Sequence, residues 1–403
     1  MRNPWCIYIM CMLLAACSAD DAGEPVPATS DMPVTFTATL HADSTHATRA
    51  ANEIDDNATL QAKGFGVFGC HTGLYKYSDS NVRPNFMYNE HISYDGTNSV
   101  WAYSPVKYWP NGEGETNPSI NTGENPHYVT FMAYAPYSDG STGDAGYCIP
   151  SFSQQGDPGN PWLTYRLHTD VTKQVDLLCA TPMLDQTKPA VNSKVTFTFG
   201  HALACVGDKV SVNCSDGMKT QFGNRVAGGI SNVRLEVTKL EIVYTLTSKA
   251  RLVLWNGGEP NWEPIYSEAT VCTRTVTLVD AGNAPVVAYA YNGTGISSTQ
   301  SEWNGKGVFY IPIGMPGNPQ TATVNVAYQV STYNGSNWIP GATKEGSVTL
   351  YLNDPNWVTA YMPGKHLYIN ITVNDDELSF TVTAAIAEWE NGEVGNSGNV
   401  DAI

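Results

Sequence analysis

The chain of 403 residues carries 38 acidic and 21 basic side chains, a formal net charge of -17, with 42% apolar and 15% charged residues. So negative a chain repels phosphate backbones and anionic headgroups, which argues against nucleic-acid binding and against charge-driven membrane binding. The apolar content excludes a disordered chain, and the length suffices for two or three domains that each bury a core.

The first sixteen residues read as a targeting signal: Arg2 is followed by an apolar run from Cys6 to Ala16. That run is far short of the roughly 20 residues a membrane-spanning helix needs. It closes in Leu14-Ala15-Ala16-Cys17, which resembles a bacterial lipobox, with the Cys17 thiol as the acylation site. The following Ser18-Ala19-Asp20-Asp21 is similar to the acidic surface-export tag of Bacteroidetes lipoproteins. Residues 17–33, with Pro25, Pro27 and Pro33 among small polar residues, predict a flexible tether.

Residues 34–49 form the next unit. Val34, Phe36, Ala38 and Leu40 alternate with threonines, which predicts a half-buried strand with these four side chains on one face. A polar stretch from His41 to Asn52 follows, and within it Arg49, next to Ala50, is the one arginine between Arg2 and Arg83. An arginine flanked by small residues in such a loop is accessible to an arginine-specific protease; the plain alternative is a solvated loop charge.

Beyond residue 50, two-residue alternation dominates. The clearest runs are Val195-Phe197-Phe199, Val324-Val326-Tyr328-Val330, Leu367-Ile369-Ile371-Val373 and Phe380-Val382-Ala384-Ile386, separated by Gly, Pro, Asn and Asp clusters. Many short strands joined by such turns predict an all-β chain of sandwiches. The strand-poor, glycine-bearing stretch Asn213 to Gly229 is the candidate boundary, dividing an N-terminal β-sandwich domain (50–225) from a C-terminal one (226–403).

Signatures of catalysis are missing: there is no nucleophile elbow, zinc-helix, phosphate loop, dinucleotide fingerprint or calcium loop, so no catalytic residue, metal site or cofactor is assigned. The eight histidines are scattered, and His201, which follows a buried strand, reads as a hydrogen-bonded structural residue. Asp375-Asp376 lies between two strand patterns and reads as a solvated hairpin turn. Cys70, Cys148, Cys179, Cys205, Cys214 and Cys272 show no metal spacing or compact disulfide framework, and buried free thiols are expected for most of them. The ten Trp and 22 Tyr fit core packing or a sugar-binding face.

Taken in order, several of these segments carry a resemblance. The lipobox and acidic tag, the early strand before Thr48-Arg49-Ala50, Gly64-Phe65-Gly66-Val67-Phe68, Trp101 to Trp109, Phe131 to Pro136, Asp176 to Ala180 and Phe197 to Ala204 together resemble a Bacteroidetes fimbrillin of the Mfa-like, type V pilus group. The resemblance implies two tandem transthyretin-like antiparallel β-sandwiches, exported as an outer-membrane lipoprotein and assembled into a surface fimbria for adhesion. It implies cleavage after Arg49, departure of the Val34–Leu40 strand, and entry of a neighbour's strand by β-augmentation. The candidate donor is the run Phe380, Val382, Ala384 and Ile386. Implied partners are other fimbrial subunits, the outer membrane through the lipid, an arginine-specific protease and a host or bacterial surface ligand. Glu390 to Ile403 holds three glycines and few apolar groups, so stalk, tip and anchor roles all stay open. The competing reading is a surface glycan-binding lipoprotein that forms no polymer.

Overall fold

The computed structural model describes residues 32–41, 53–110, 126–189, 193–258, 260–265, 271–292, 296–297, 300–313, 319–352, 363–375 and 379–388. Cys17, Arg49, Ala50 and the signal lie outside the described residues. Among the described residues strands dominate, as the alternation predicts, and they form four sheets.

The first sheet runs, edge to edge, through Phe36–Leu40, Val195–His201, Leu178–Ala180, Tyr128–Ala135, Phe65–Gly73, Met87–Asp95 and Val100–Ala102, with Met183–Gln186 also on Tyr128–Ala135. One face closes over an aromatic core of Phe36, Phe65, Phe131, Phe197 and Phe199, together with Leu60 of the short helix Asn57–Lys63. The other face, carrying Phe68, Met132, Tyr134 and Cys179, packs into a second and larger core. Covering both faces explains why Val129 to Ala135 is buried at every position, although Tyr128 to Tyr137 reads in sequence as an alternating strand.

The second core is shared by the other three sheets. One sheet centres on Ala204–Cys214, which pairs in parallel with Lys365–Val373, and Lys365–Val373 pairs with the edge strand Phe380–Glu388. Facing it is a sheet built on the sixteen-residue strand Asn232–Thr247, flanked by Thr321–Tyr333 on one side and by Val271–Val279 and Val286–Tyr291 on the other. Val210, Val212, Ile369 and Ile371 from the first meet Leu235, Val237, Ile242 and Val324 from the second in one core. The fourth sheet takes Ser151–Phe152 and Trp162–Arg166 from the first half of the chain and Lys249–Val253 and Asn261–Pro264 from the second.

The expected boundary stretch is mostly helix, Asp216–Ala227, capped by Ser215, whose Oγ accepts from the Met218 amide at 3.1 Å, and seated through Met218 and Phe222. The strand before it, Ala204–Cys214, already belongs with the C-terminal strands. Asp375, which follows Lys365–Val373, accepts from the Ser215 hydroxyl, and its carbonyl accepts from Gln221 Nε2 at 2.7 Å, so Asp375 is held against the helix.

Candidate functional site

The strand Phe36–Leu40 is the candidate site, and its neighbours show what it does. It is an edge strand that runs parallel to Val195–His201, in register from Phe36 opposite Val195 to Leu40 opposite Phe199. Val195 N donates to Thr35 O at 2.8 Å, and His41 N donates to Phe199 O at 2.9 Å. Just upstream the chain pairs on a different side: Val34 N donates to Lys107 O at 2.9 Å and Trp109 N donates to Met32 O at 3.0 Å. Lys107–Trp109 follows Val100–Ala102, the strand at the opposite edge of the sheet. Residues 32–41 therefore form a seam between Val195–His201 and the Lys107–Trp109 segment, and the pairing already includes Met32, inside the segment expected to be tether.

Of the four expected inward side chains, Val34 and Phe36 are fully buried, while Ala38 and Leu40 are half-buried against the same core. Phe36 packs edge-on to Phe131 at 5.6 Å between ring centroids, stacks with Phe197 at 5.8 Å and meets Tyr103 at 5.6 Å. The Tyr103 hydroxyl donates to Val34 O at 2.8 Å and accepts from Lys107 N at 3.2 Å, so it ties the seam where the pairing changes sides. Burial comes first among the causes that push this phenol up to about 12, so it stays a neutral donor. At the other end Leu40 N donates to Asn57 Oδ1 at 3.2 Å, which fastens the seam to the start of a helix. Removing residues 32–41 would uncover Phe131, Phe197 and Tyr103 beside unpaired backbone on Val195–His201 and Lys107–Trp109.

The candidate donor residues lie in the edge strand Phe380–Glu388, paired antiparallel with Lys365–Val373. Val382 and Ala384 are buried, and Phe380 is half-buried against Tyr328, with ring centroids 6.4 Å apart. Ile386 takes part in the backbone ladder opposite Leu367. This segment is thus an integral strand of its own sandwich, with one paired neighbour among the described residues.

His201 sits 3.0 Å through Nδ1 from Asp176 Oδ2, and that carboxylate also accepts from Ile54 N at 3.0 Å. It holds the backbone at Ile54, which gives both side chains a structural role. The body cysteines are free thiols, all buried except the half-buried Cys272. Burial pushes Cys70, Cys148 and Cys179 up to about 12, which leaves them unreactive near neutrality. Trp101 and Tyr103 pack against the aromatic core, so these two belong to packing, while Val106 and Tyr108 beside them are exposed.

Comparison with known proteins gives one sequence relative and one solved structure of the same fold. The chain is 26% identical over 254 residues to the fimbrium subunit Fim1C of Phocaeicola vulgatus, a match covering 61% of this chain and 59% of that one. It thus spans about three fifths of the curated relative's length. A crystal structure of a fimbrial protein from Bacteroides vulgatus superposes with a TM-score of 0.58 at 19% identity, covering 89% of this chain and 100% of that chain. No family model matches. The resemblance carried by the motifs therefore stands on two findings: the chain is a sequence relative of a Bacteroidales fimbrium subunit and has the fold of a solved Bacteroides fimbrial protein.

Proposed function

We propose that this chain is a non-catalytic subunit of a surface fimbria, exported as a lipoprotein through Cys17, in which the segment from Met32 to His41 occupies an acceptor groove until cleavage after Arg49 lets a neighbour's strand replace it. The observation that carries the reading is the seam. A strand followed in sequence by a polar stretch fills an aromatic groove and satisfies backbone on Val195–His201 and on Lys107–Trp109, so an extended segment of another chain with the same alternation fits in its place. While attached, the strand wins by effective concentration; once cut, it competes as a separate peptide. Phe380–Glu388 is the donor this reading favours, because its apolar residues alternate and it has one neighbour to lose.

The test compares the Arg49→Ala variant with the wild type. After an arginine-specific protease the wild type begins at Ala50 and forms high-mass species on a non-denaturing gel, whereas Arg49→Ala stays monomeric. Equal polymer from both, or none from a wild type shown by N-terminal sequencing to be cut, would overturn the exchange, and the second outcome would favour a glycan-binding surface protein.

A further inference from the structure

Immediately after the polar loop the chain does something unusual: Glu53, Ile54 and Asp55 are all buried, with residue exposures of 7%, 1% and 2%. Two of the three are acids, and burying a carboxylate costs several kcal/mol unless a partner compensates it. The partners come from distant parts of the chain. Glu53 Oε1 lies 3.7 Å from His366 Nε2, and the other ring nitrogen, Nδ1, lies 3.5 Å from Asp208 Oδ2. His366 is on Lys365–Val373 and Asp208 on Ala204–Cys214, both in the sandwich built mainly from the C-terminal half. The next residue is held from the first half, since Ile54 N donates to Asp176 Oδ2.

Asp208 lies inside an irregularity of its strand. The register with Lys365–Val373 shifts between Val206 and Val210, and Asp208, two residues from each, is fully buried in a stretch where Val206, Val210 and Val212 are buried too. Gly207 lies in the same irregularity with φ +74°, and a β-carbon there would stand 2.2 Å from the Tyr244 hydroxyl. Gln174 reinforces the junction: its Nε2 donates to Gly307 O at 2.8 Å and its Oε1 accepts from Phe309 N at 3.0 Å. The irregularity, the buried histidine flanked by two acids and the docked segment after the loop form one construction.

We propose that Glu53, His366 and Asp208 are positioning residues that latch the chain just downstream of the cleavable loop, so that strand exchange stops at the loop and the new N-terminal segment stays seated across both halves of the subunit. The inference rests on the exchange reading for its purpose, but the latch itself exists in the uncut chain. A seated segment keeps the rest of the fold intact while residues 32–41 leave, and it keeps Glu53–Asp55 from following them out.

Amide hydrogen exchange on the full chain tests this with Glu53→Gln, His366→Gln and Asp208→Asn. Before cleavage, Ile54 and Asp55 should exchange at least tenfold faster in the variants than in the wild type, with Phe36–Leu40 unchanged. After cleavage of the wild type, Phe36–Leu40 should accelerate while Ile54 stays within threefold. Unchanged Ile54 protection in every folded variant, or its loss together with the strand on cutting, would overturn the latch. Should the protease leave the chain uncut, the exchange reading fails and the variant comparison still decides the latch; should no variant fold, the wild-type comparison before and after cutting decides it.

Discussion

Phe36→Ala probes how firmly the seam is held. The ring is 1% exposed and touches Phe131, Phe197 and Tyr103, so its deletion leaves a cavity between three aromatic side chains, two of them, Phe131 and Phe197, on strands of the sheet. Truncating a buried phenylalanine costs about 3–5 kcal/mol, and the Phe36 site cannot collapse easily because the facing rings come from three separate elements. At about 1.4 kcal/mol per factor of ten, this amounts to two to three and a half powers of ten in strand occupancy. In the uncut chain the loss should appear as lower global stability, read from the urea midpoint. In the cut chain it should appear mainly as faster dissociation of the peptide ending at Arg49, followed by size-exclusion chromatography and mass spectrometry. A cut Phe36→Ala chain that releases the peptide no faster than wild type, while the uncut variant is destabilised as expected, would show that the strand does not leave as a unit. The exchange argument would then fail at its first step.

Two further outcomes follow from titrating groups. Burial alone would lower the pKa of His366, but Asp208 and Glu53 outweigh it and hold the imidazolium to about 9 against an ordinary 6.5, so the folded state binds the proton more tightly than the unfolded state. The resulting stabilisation is fully present below about pH 6.5 and is lost as pH rises through 9; urea midpoints across that range should fall more steeply for wild type than for His366→Gln, and parallel curves would refute the assignment. With Cys70, Cys148 and Cys179 pushed up to about 12, iodoacetamide at pH 8 should label these three slowly in the folded protein and quickly in denaturant, as peptide mapping would show; rapid native labelling of any of them would contradict the packing.

Much of the strand content was legible because its side chains alternate. Val195-Phe197-Phe199 and Leu367-Ile369-Ile371-Val373 each bury one face, and a two-residue period is the direct imprint of that. The seam strand was legible for the same reason, but its parallel pairing with a partner some 160 residues away was not, since alternation records which face is buried and says nothing of the neighbour. The helix Asp216–Ala227 was hidden by Gly217 and Gly223, although Ser215 before Asp216 and Arg225 in the last turn carry its end signals. The latch could not be read at all: Glu53, Asp208 and His366 share no spacing, and each is an unremarkable polar residue in its own segment. A glycine followed by an acid inside Ala204-Cys205-Val206-Gly207-Asp208 was the local hint of an irregular strand.

The sheet shared by Trp162–Arg166 and Lys249–Val253 has a mechanical consequence. Five residue pairs, Arg166 with Lys249 through Trp162 with Val253, cross-link segments more than eighty residues apart in sequence, and Leu163, Tyr165, Ala250 and Leu252 among them are buried in the core that Phe68 and Tyr134 of the first sheet share with the strands of the second half. Two beads on a string would hand tension to one another through a single connecting peptide. Here the load spreads over a ladder of backbone bonds and the apolar layer beneath it, so the halves should stretch and yield as one body. In a fibre built from such units, the compliant points would fall at the joints between subunits, leaving the subunits themselves stiff.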